Sequence, residues 1–412
     1  MLYFLSIFSL LIAYVFLRFN GGAFKATSFP PLFFTLSLLV GVLGFNVFNF
    51  AYGMPFEFGD SLPYENFISS SYSFFTAILA FSAGCTFYLL VTNSKTKEKV
   101  LIFKRVSPFT NIFIILIPAF FLISAYGFSS ILSRIEYIPE ETIRSFKFLG
   151  RLSAILMLLF LHRLTSSKLT IFFVYLLYFF IFFGYASRTL ALLPLCYLVS
   201  FNLFRNDKGG IIKYILLPIL SIAFASIALQ LRSLDMHGII PYFLEILNSG
   251  VQLDLFFLAL NYLTSFSYSL TAYLSSNINY SYEYFLVSIH PALGSMVGWD
   301  ELSTSLRVNK FVPYNGLSEL SAMGLGVTFS YFFISGLLLK FMEVRMSQIG
   351  LLGYAFAFCI CALFSMEIMQ YNLRSATRTL YYGMFLFIAF FIYKEYFLIL
   401  LPKKRKNVYR KS

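Results

Sequence analysis

The chain has 412 residues, of which 59% are hydrophobic and 12% charged, with a mean hydropathy of +0.79. A water-soluble fold of this length has no means of hiding so much apolar surface, so the composition excludes one and points to a multi-pass membrane protein. The net charge of +13 would suit a nucleic-acid partner, but the placement of the charges gives it another meaning, and no nucleic-acid partner is expected.

Taken from the N-terminus, apolar runs long enough to cross a bilayer fall near 2–17, 31–52, 67–92, 110–127, 148–164, 169–186, 189–204, 214–231, 324–342, 349–368 and 379–400. An apolar run of about 18 residues is the mark of a span, so the expected fold is an all-α, polytopic transmembrane helix bundle of about 11 spans. Nothing basic precedes the first run and no small-residue cleavage site follows it, so no secretory signal peptide is expected.

Alternate connections are basic. They carry Arg18 and Lys25, then Lys95, Lys97, Lys99, Lys104 and Arg105, then Arg163 and Lys168, then Arg205, Lys208 and Lys213, then Lys340 and Arg345, and finally the tail from Lys394 to Lys411. Together these hold 21 of the 31 basic residues and only 4 of the 18 acidic ones, Glu98, Asp207, Glu343 and Glu395. Basic connections stay in the cytoplasm, so the N-terminus is expected outside and the C-terminus inside.

Residues 254–274 are apolar enough to suggest a twelfth span, but one extra crossing would place the basic tail outside. Polar Asn261, Thr264, Ser265, Ser267, Ser269 and Thr271 are scattered through this stretch, which fits an interfacial or re-entrant helix. Residues 232–323 then form one long outer loop within a single integral-membrane domain, 1–412. The loop holds His237, His290, the only tryptophan, Trp299, and seven acidic residues. A loop of such length is functional or disordered, and its Tyr, Phe and Leu content argues against disorder.

The four cysteines, Cys85, Cys196, Cys359 and Cys361, all lie in apolar runs and read as small buried hydrophobes rather than a disulfide or metal framework. No Asp-x-Asp pair, P-loop, His-Glu-x-x-His or Gly-x-Ser-x-Gly occurs. Metal- and nucleotide-dependent chemistry is disfavoured, and neither metal nor cofactor is expected. Any leaving group is then already activated and is stabilised by cationic side chains.

Arginines on the outer face supply such side chains. Arg144 has Glu140 and Glu141 within a helical turn, and Arg232 has Asp235 three residues on. Arg151 has no acid within a turn, and Arg188 stands in the tight Ala186-Ser187-Arg188-Thr189 connection with no acid near it in sequence. Arg374 and Arg378 are four apart before the last apolar run. Arginine recognises phosphate in a planar, bidentate way and keeps its charge in low dielectric. The expected diphosphate-binding set is therefore Arg188, Arg232, Arg151, Arg374 and Arg378. Snorkelling or pairing with outer acids is the alternative for each.

The stretch Pro313-Tyr314-Asn315-Gly316-Leu317-Ser318-Glu319-Leu320-Ser321-Ala322-Met323-Gly324-Leu325-Gly326 leads straight into an apolar run. It resembles the end of the long outer loop in Wzy-type O-antigen and oligosaccharide repeat-unit polymerases. The Arg188 connection is similar to that family's short outer loop, with a basic residue after small ones. The related O-antigen ligases carry His-Asn where this chain has Tyr314-Asn315, which speaks against a ligase. The resemblance implies a metal-independent membrane glycosyltransferase of the bacterial inner membrane, active on the periplasmic face, with a long periplasmic loop carrying short interfacial helices. It would move a growing glycan from undecaprenyl diphosphate to the acceptor sugar of another lipid-linked unit. The expected partners are those lipid-linked donors and acceptors, the bilayer and, by analogy, a chain-length regulator. Glu319 is the expected general base, with an ion pair to Arg307 or Lys310 as its alternative; His290 and then His237 follow. Tyr314, Asn315 and Trp299 are the expected sugar contacts, with interfacial anchoring as the other reading of the aromatic pair. A flippase for the same lipid-linked oligosaccharide is the rival; it would show short loops, two similar halves and charges inside the spans.

Overall fold

The computed structural model describes residues 1–22, 25–47, 62–92, 108–136, 142–204, 212–252, 255–256, 259, 266–292, 294–308, 312–348 and 351–400. Among them the chain is all-helical, and the extended pairings are two isolated backbone bridges, Arg134 with His237 and Arg307 with Pro313. In chain order the helices are α1 (Leu2–Asn20), α2 (Phe29–Val47), α3 (Tyr64–Thr92), α4 (Pro108–Tyr126), α5 (Phe128–Leu132), α6 (Arg144–Leu159), α7 (Leu161–Leu164), α8 (Lys168–Gly184) and α9 (Leu192–Phe204). They continue with α10 (Ile212–Gln230), α11 (Ile239–Ser249), α12 (Phe266–Asn277), α13 (Tyr282–Ile289), α14 (Trp299–Ser305), α15 (Gly316–Ala322), α16 (Leu325–Ser347), α17 (Leu351–Gln370) and α18 (Leu373–Leu400).

Every apolar window read from the sequence holds helix. Among the described residues four helices, Leu2–Asn20, Ala26–Gly44, Tyr64–Thr92 and Leu325–Ser347, are long and apolar enough to cross a membrane, and several shorter apolar helices accompany them. The window 148–164 is not one helix: the chain turns at Phe160, whose amide bonds the carbonyls of Leu156 and Met157 before α7 begins.

The chain divides into two compact units. The first comprises Met1–Val42, Gly59–Lys99 and Ser267–Ser412; the second comprises Leu43–Phe58 and Val100–Phe266. The long loop read from the sequence is shared between them.

In the first unit α3 and α16 are in backbone contact. A Cβ at Gly84 would lie 2.1 Å from the Phe333 carbonyl oxygen, and one at Gly336 would lie 2.4 Å from that of Phe81. Glycine at both positions removes the side chains that would hold the helices apart, the usual way apolar helices associate where burial from water gives no drive. Phe34, Phe81, Phe332 and Phe364 fill the space beside this contact with edge-on and stacked rings.

Helix α12 covers part of the stretch read as an interfacial or re-entrant helix. Ser267 and Thr271 are turned inward. Ser267 Oγ donates to the Met369 carbonyl at 2.8 Å, Tyr268 packs against Phe67 and Phe74 with its hydroxyl 3.0 Å from Ser71 Oγ, and Thr271 Oγ1 accepts from Asn315 Nδ2 at 3.0 Å. Hydroxyls that satisfy themselves on nearby carbonyls tolerate burial, so polarity in this stretch marks internal ties. Residues 260–265 of the same stretch lie outside the described set.

A departure from the sequence reading concerns charge. Lys340 and Glu343 read as residues of a basic connection, yet α16 continues to Ser347 and buries both. Lys340 Nζ donates to Glu343 Oε2 at 2.8 Å and to Asn20 Oδ1 at 2.6 Å, while Glu343 also accepts from Ala26 N at 2.9 Å and Thr27 Oγ1 at 2.5 Å. Three protein donors on the carboxylate, and a second acceptor for the ammonium, are what makes a buried ion pair tolerable.

In the second unit α4 and α6 pack through Gly150, where a Cβ would meet the Leu122 side chain at 2.9 Å. The Tyr178 hydroxyl ties α8 to the Ile115 carbonyl at 2.7 Å, and Ser221 Oγ of α10 donates to the Ala191 carbonyl. Small Ala191, Ala225 and Ala259 form the shared core of that region.

Candidate functional site

The second unit gathers cations around the tight connection between α8 and α9. The chain reverses at Ala186, the one non-glycine residue with positive φ (42°) among those described. Its Cβ sits in the left-handed region at a cost of about 1–2 kcal/mol. The reversal is closed by Ala186 N to the Phe183 carbonyl (2.8 Å) and Ser187 N to the Phe182 carbonyl (3.1 Å). Arginines hold its outward-turned carbonyls. Arg134 Nη1 donates to the carbonyls of Gly184 and Ser130, each at 2.8 Å, and Arg232 Nε donates to that of Ala186 at 3.1 Å. So Arg232, expected near Asp235, is a clamp on the turn.

Next to this turn two tyrosine rings stack, Tyr185 on Tyr126, with centroids 3.7 Å apart. The Arg134 guanidinium lies over the Tyr185 ring at 5.5 Å and the Lys147 ammonium over the Tyr126 ring at 5.3 Å. Arg151 Nη2 donates to the Tyr126 hydroxyl at 3.2 Å. The Tyr185 hydroxyl is buried without a hydrogen-bond partner among the described residues. Arg188 opens the short 3-10 turn Arg188–Ala191, capped by Ser187 Oγ; its side chain lies outside the described set. Arg134, Lys147, Arg151 and Arg232 thus meet on one aromatic-backed turn, which carries the backbone of Arg188 as well. Clustered guanidinium groups on a partly buried surface recognise phosphate oxygens.

His237 flanks this cluster. Its backbone pairs with that of Arg134 through bonds of 2.7 and 2.8 Å, and its ring Nδ1 lies 2.8 Å from the Tyr242 hydroxyl. Burial, followed by the nearby Arg134 charge, holds its pKa below the usual histidine value, although a hydrogen bond to the Leu231 carbonyl works the other way. The ring is engaged on the protein and acts as a strut.

The first unit brings together the remaining expected residues. Asn315 caps α15, accepting from Ser318 N at 2.8 Å, and ties the cap to α12 through Ser267 and Thr271. It is fully buried, and Tyr314 beside it is buried too, so both serve the local fold. Helix α15 lodges against the start of α18: Gly316 N bonds the Tyr371 carbonyl at 2.8 Å, and a Cβ at Gly316 would lie 3.0 Å from Leu373 Cα. Glu319 is carried into this junction at 0% exposure. Its Oε1 accepts from Leu373 N at 3.3 Å, and its Oε2 has no partner within hydrogen-bonding distance among the described residues.

Burial pushes the Glu319 carboxyl up to about 8, against the smaller stabilising effects of the Tyr280 hydroxyl and the Leu373 amide. The ion pair to Arg307 considered from sequence does not form. Arg307 Nε bonds the Ser303 carbonyl, and Lys310 lies outside the described residues. Tyr280 itself is held protonated by burial and by Glu319.

Arg374, one residue beyond Leu373, is 1% exposed. It collects the open carbonyls at the C-terminal end of α13: Nη1 donates to Val287 and, at 3.2 Å, to His290, and Nη2 donates to Ala292 at 2.6 Å. Its guanidinium also covers the Trp299 ring at 5.2 Å. An arginine on helix-end carbonyls is a favourable charge–dipole arrangement. Its Nη donors are taken by the protein and its Nε is buried without a hydrogen-bond partner among the described residues. The His290 side chain is exposed, with Nδ1 accepting from Ala292 N at 3.2 Å. Arg378, one helical turn on from Arg374, bonds the Tyr382 hydroxyl at 3.1 and 2.6 Å.

The five arginines expected as one diphosphate set therefore fall into two sets: Arg151, Arg188 and Arg232 in the second unit, Arg374 and Arg378 in the first. Sequence reasoning missed Arg134 and the Tyr126–Tyr185 stack. Arg134 carried a weaker signal than Arg151, since Glu136 lies two residues from it in the sequence. The tyrosines carried none, because nothing local distinguishes them from the rest of the chain's 29 tyrosines. No protein-family model, curated protein or solved structure matches this chain.

Proposed function

We propose that this chain is a membrane-embedded glycosyltransferase that polymerises lipid-linked oligosaccharide repeat units, the activity of the Wzy-type polymerases that its sequence resembles. In this reading the apolar helices make about 11 crossings of a bacterial inner membrane, with the N-terminus periplasmic, the C-terminus cytoplasmic and the working face periplasmic. The observation that carries the reading is the aromatic-backed turn at Tyr185–Arg188, with Arg134, Lys147, Arg151 and Arg232 about it.

That turn suits the diphosphate of an undecaprenyl-linked donor. As the acceptor hydroxyl attacks the anomeric carbon, the bond from that carbon to the diphosphate oxygen breaks, and the charge on the departing diphosphate is met by guanidinium groups rather than a metal. The acceptor proton needs a base. Within the first unit Glu319 is assigned that role, because its free Oε2 and raised pKa suit proton exchange near neutrality. Arg374 and Asn315 are assigned to hold α13 and α15 in place, and exposed His290 is kept as the second candidate base.

A flippase for the same lipid-linked oligosaccharide is the second reading. The buried Lys340–Glu343 pair within α16 favours it, since charges inside apolar helices mark transport paths. The pair is closed off by Ala26 N and Thr27 Oγ1 on the carboxylate and by Asn20 Oδ1 on the ammonium, which suits a structural tie.

Complementation separates the two. The chain is expressed in a strain lacking its repeat-unit polymerase, and glycan length is read on a gel beside Arg151→Ala and Arg188→Ala at equal expression. Long polymers from the parent and single repeats from the variants support the polymerase. Loss of lipid-linked units from the outer face when the native gene is deleted, with no ladder restored by the chain, transfers the assignment to the flippase.

A further inference from the structure

A cavity of about 490 Å³ opens in the second unit, at the helix ends that carry Arg163, Lys168 and Lys213. Its polar lining comes from His162 of α7, Lys168 and Tyr175 of α8, Tyr197 of α9 and Lys213 of α10. A volume of this size holds a small-molecule headgroup.

The lining is built. His162 is buried, its Nδ1 lies 3.0 Å from Ser200 Oγ, and its ring meets Tyr197 and Phe201 edge-on with centroids 4.9 and 5.5 Å away. The Lys213 ammonium sits 3.6 Å from the Phe201 ring centroid, which parks its charge on the cavity wall. Lys168 stands at the first residue of α8, capped by Ser167. Neither lysine has a carboxylate partner among the described residues. Two cations, an imidazole and two phenols over an aromatic floor call for an anion that accepts several hydrogen bonds. On α8, next to Lys168, exposed side chains are apolar: Leu169, Phe172 (which also lines the cavity) and Phe173 are 65%, 59% and 55% exposed. A surface of that kind is where hydrocarbon chains lie.

We propose that this cavity binds the phosphate group of an anionic amphiphile, with Lys168 and Lys213 as the phosphate-holding residues and the Leu169–Phe173 face of α8 beside its hydrocarbon. Basic pockets between apolar helices on the positively charged side of a membrane protein are suited to lipid phosphates. The site uses none of the residues assigned to glycan transfer, so its test is independent of that reading.

The full chain is purified in detergent and reconstituted in nanodiscs. Retained phosphatidylglycerol is measured by native mass spectrometry, with phosphatidylcholine as the neutral control and inorganic phosphate as competitor. The parent is expected to bind phosphatidylglycerol at least tenfold more tightly than K168M/K213M, with phosphatidylcholine the same on both and salt weakening only the parent. Both lysines are at helix ends, and K168R/K213R should recover binding, which separates charge from misfolding. Phosphate that displaces the lipid from the parent supports recognition through the phosphate group. Phosphate that binds in a lysine-dependent way while the lipid does not bind keeps the phosphate site and removes the lipid as its source. Equal lipid retention by parent and K168M/K213M, or by the lysine and methionine forms at high and low salt alike, overturns the proposal.

Discussion

Glu319→Gln tests the junction of α15 and α18 most directly. The carboxyl stands at about 8 in the folded chain against an ordinary 4.5. Between pH 6 and 8 the unfolded chain has already lost this proton, while the folded chain still holds it below 8. The folded state binds more protons, so stability falls as pH rises and levels off above the folded pKa. Over pH 6–8 the parent should lose about 2 kcal/mol through this one group. Glutamine keeps the shape and an oxygen for the Leu373 amide but does not titrate, so E319Q should lack that slope. Unfolding midpoints of both proteins in mixed micelles at pH 6 and pH 8 give the comparison. Parallel slopes, or a parent that gains stability toward pH 8, would refute the burial argument. If Glu319 also serves as the base, glycan transfer by the parent rises with pH through about 8 and is lost in E319Q at every pH.

Three further outcomes follow from the packing. Breaking the Lys340–Glu343 pair with E343Q or K340M alone should cost about 3–5 kcal/mol, while K340M/E343Q together should cost well under the sum, a result read from a double-mutant cycle of unfolding free energies. R374K should free the α13 carbonyls, because an ammonium does not span Val287, His290 and Ala292 together. Loss of one charged hydrogen bond of about 1.5–3 kcal/mol should appear as faster amide exchange over 286–292, with α3 unchanged. G84A should force α3 away from α16 and destabilise by about 1–3 kcal/mol through overpacking, seen as a lower thermal midpoint with native expression lost before activity is.

The sequence by itself determined that this is an apolar helical chain and where its long apolar runs form helix, since unbroken hydrophobic runs have one local solution when backbone groups must satisfy each other. It also singled out Glu319, Arg374 and Asn315, residues that turn out to meet neighbours in one knot around α15. Only the tertiary structure decided what those residues touch. Arg374 looked like a cation in search of an anion, but its acceptors are carbonyls more than 80 residues away in the chain, and no local pattern encodes such partners. Lys340 counted as a loop charge until α16 proved to extend past it and to bring Glu343 and Asn20 alongside. Arg134 became visible only when folding placed it over Tyr185. Charge and hydropathy are properties of single residues and short windows, whereas burial and pairing depend on which distant segments arrive. The long apolar helices were therefore legible from the chain alone, and the short helices between them, the cationic turn and the raised carboxyl of Glu319 were not.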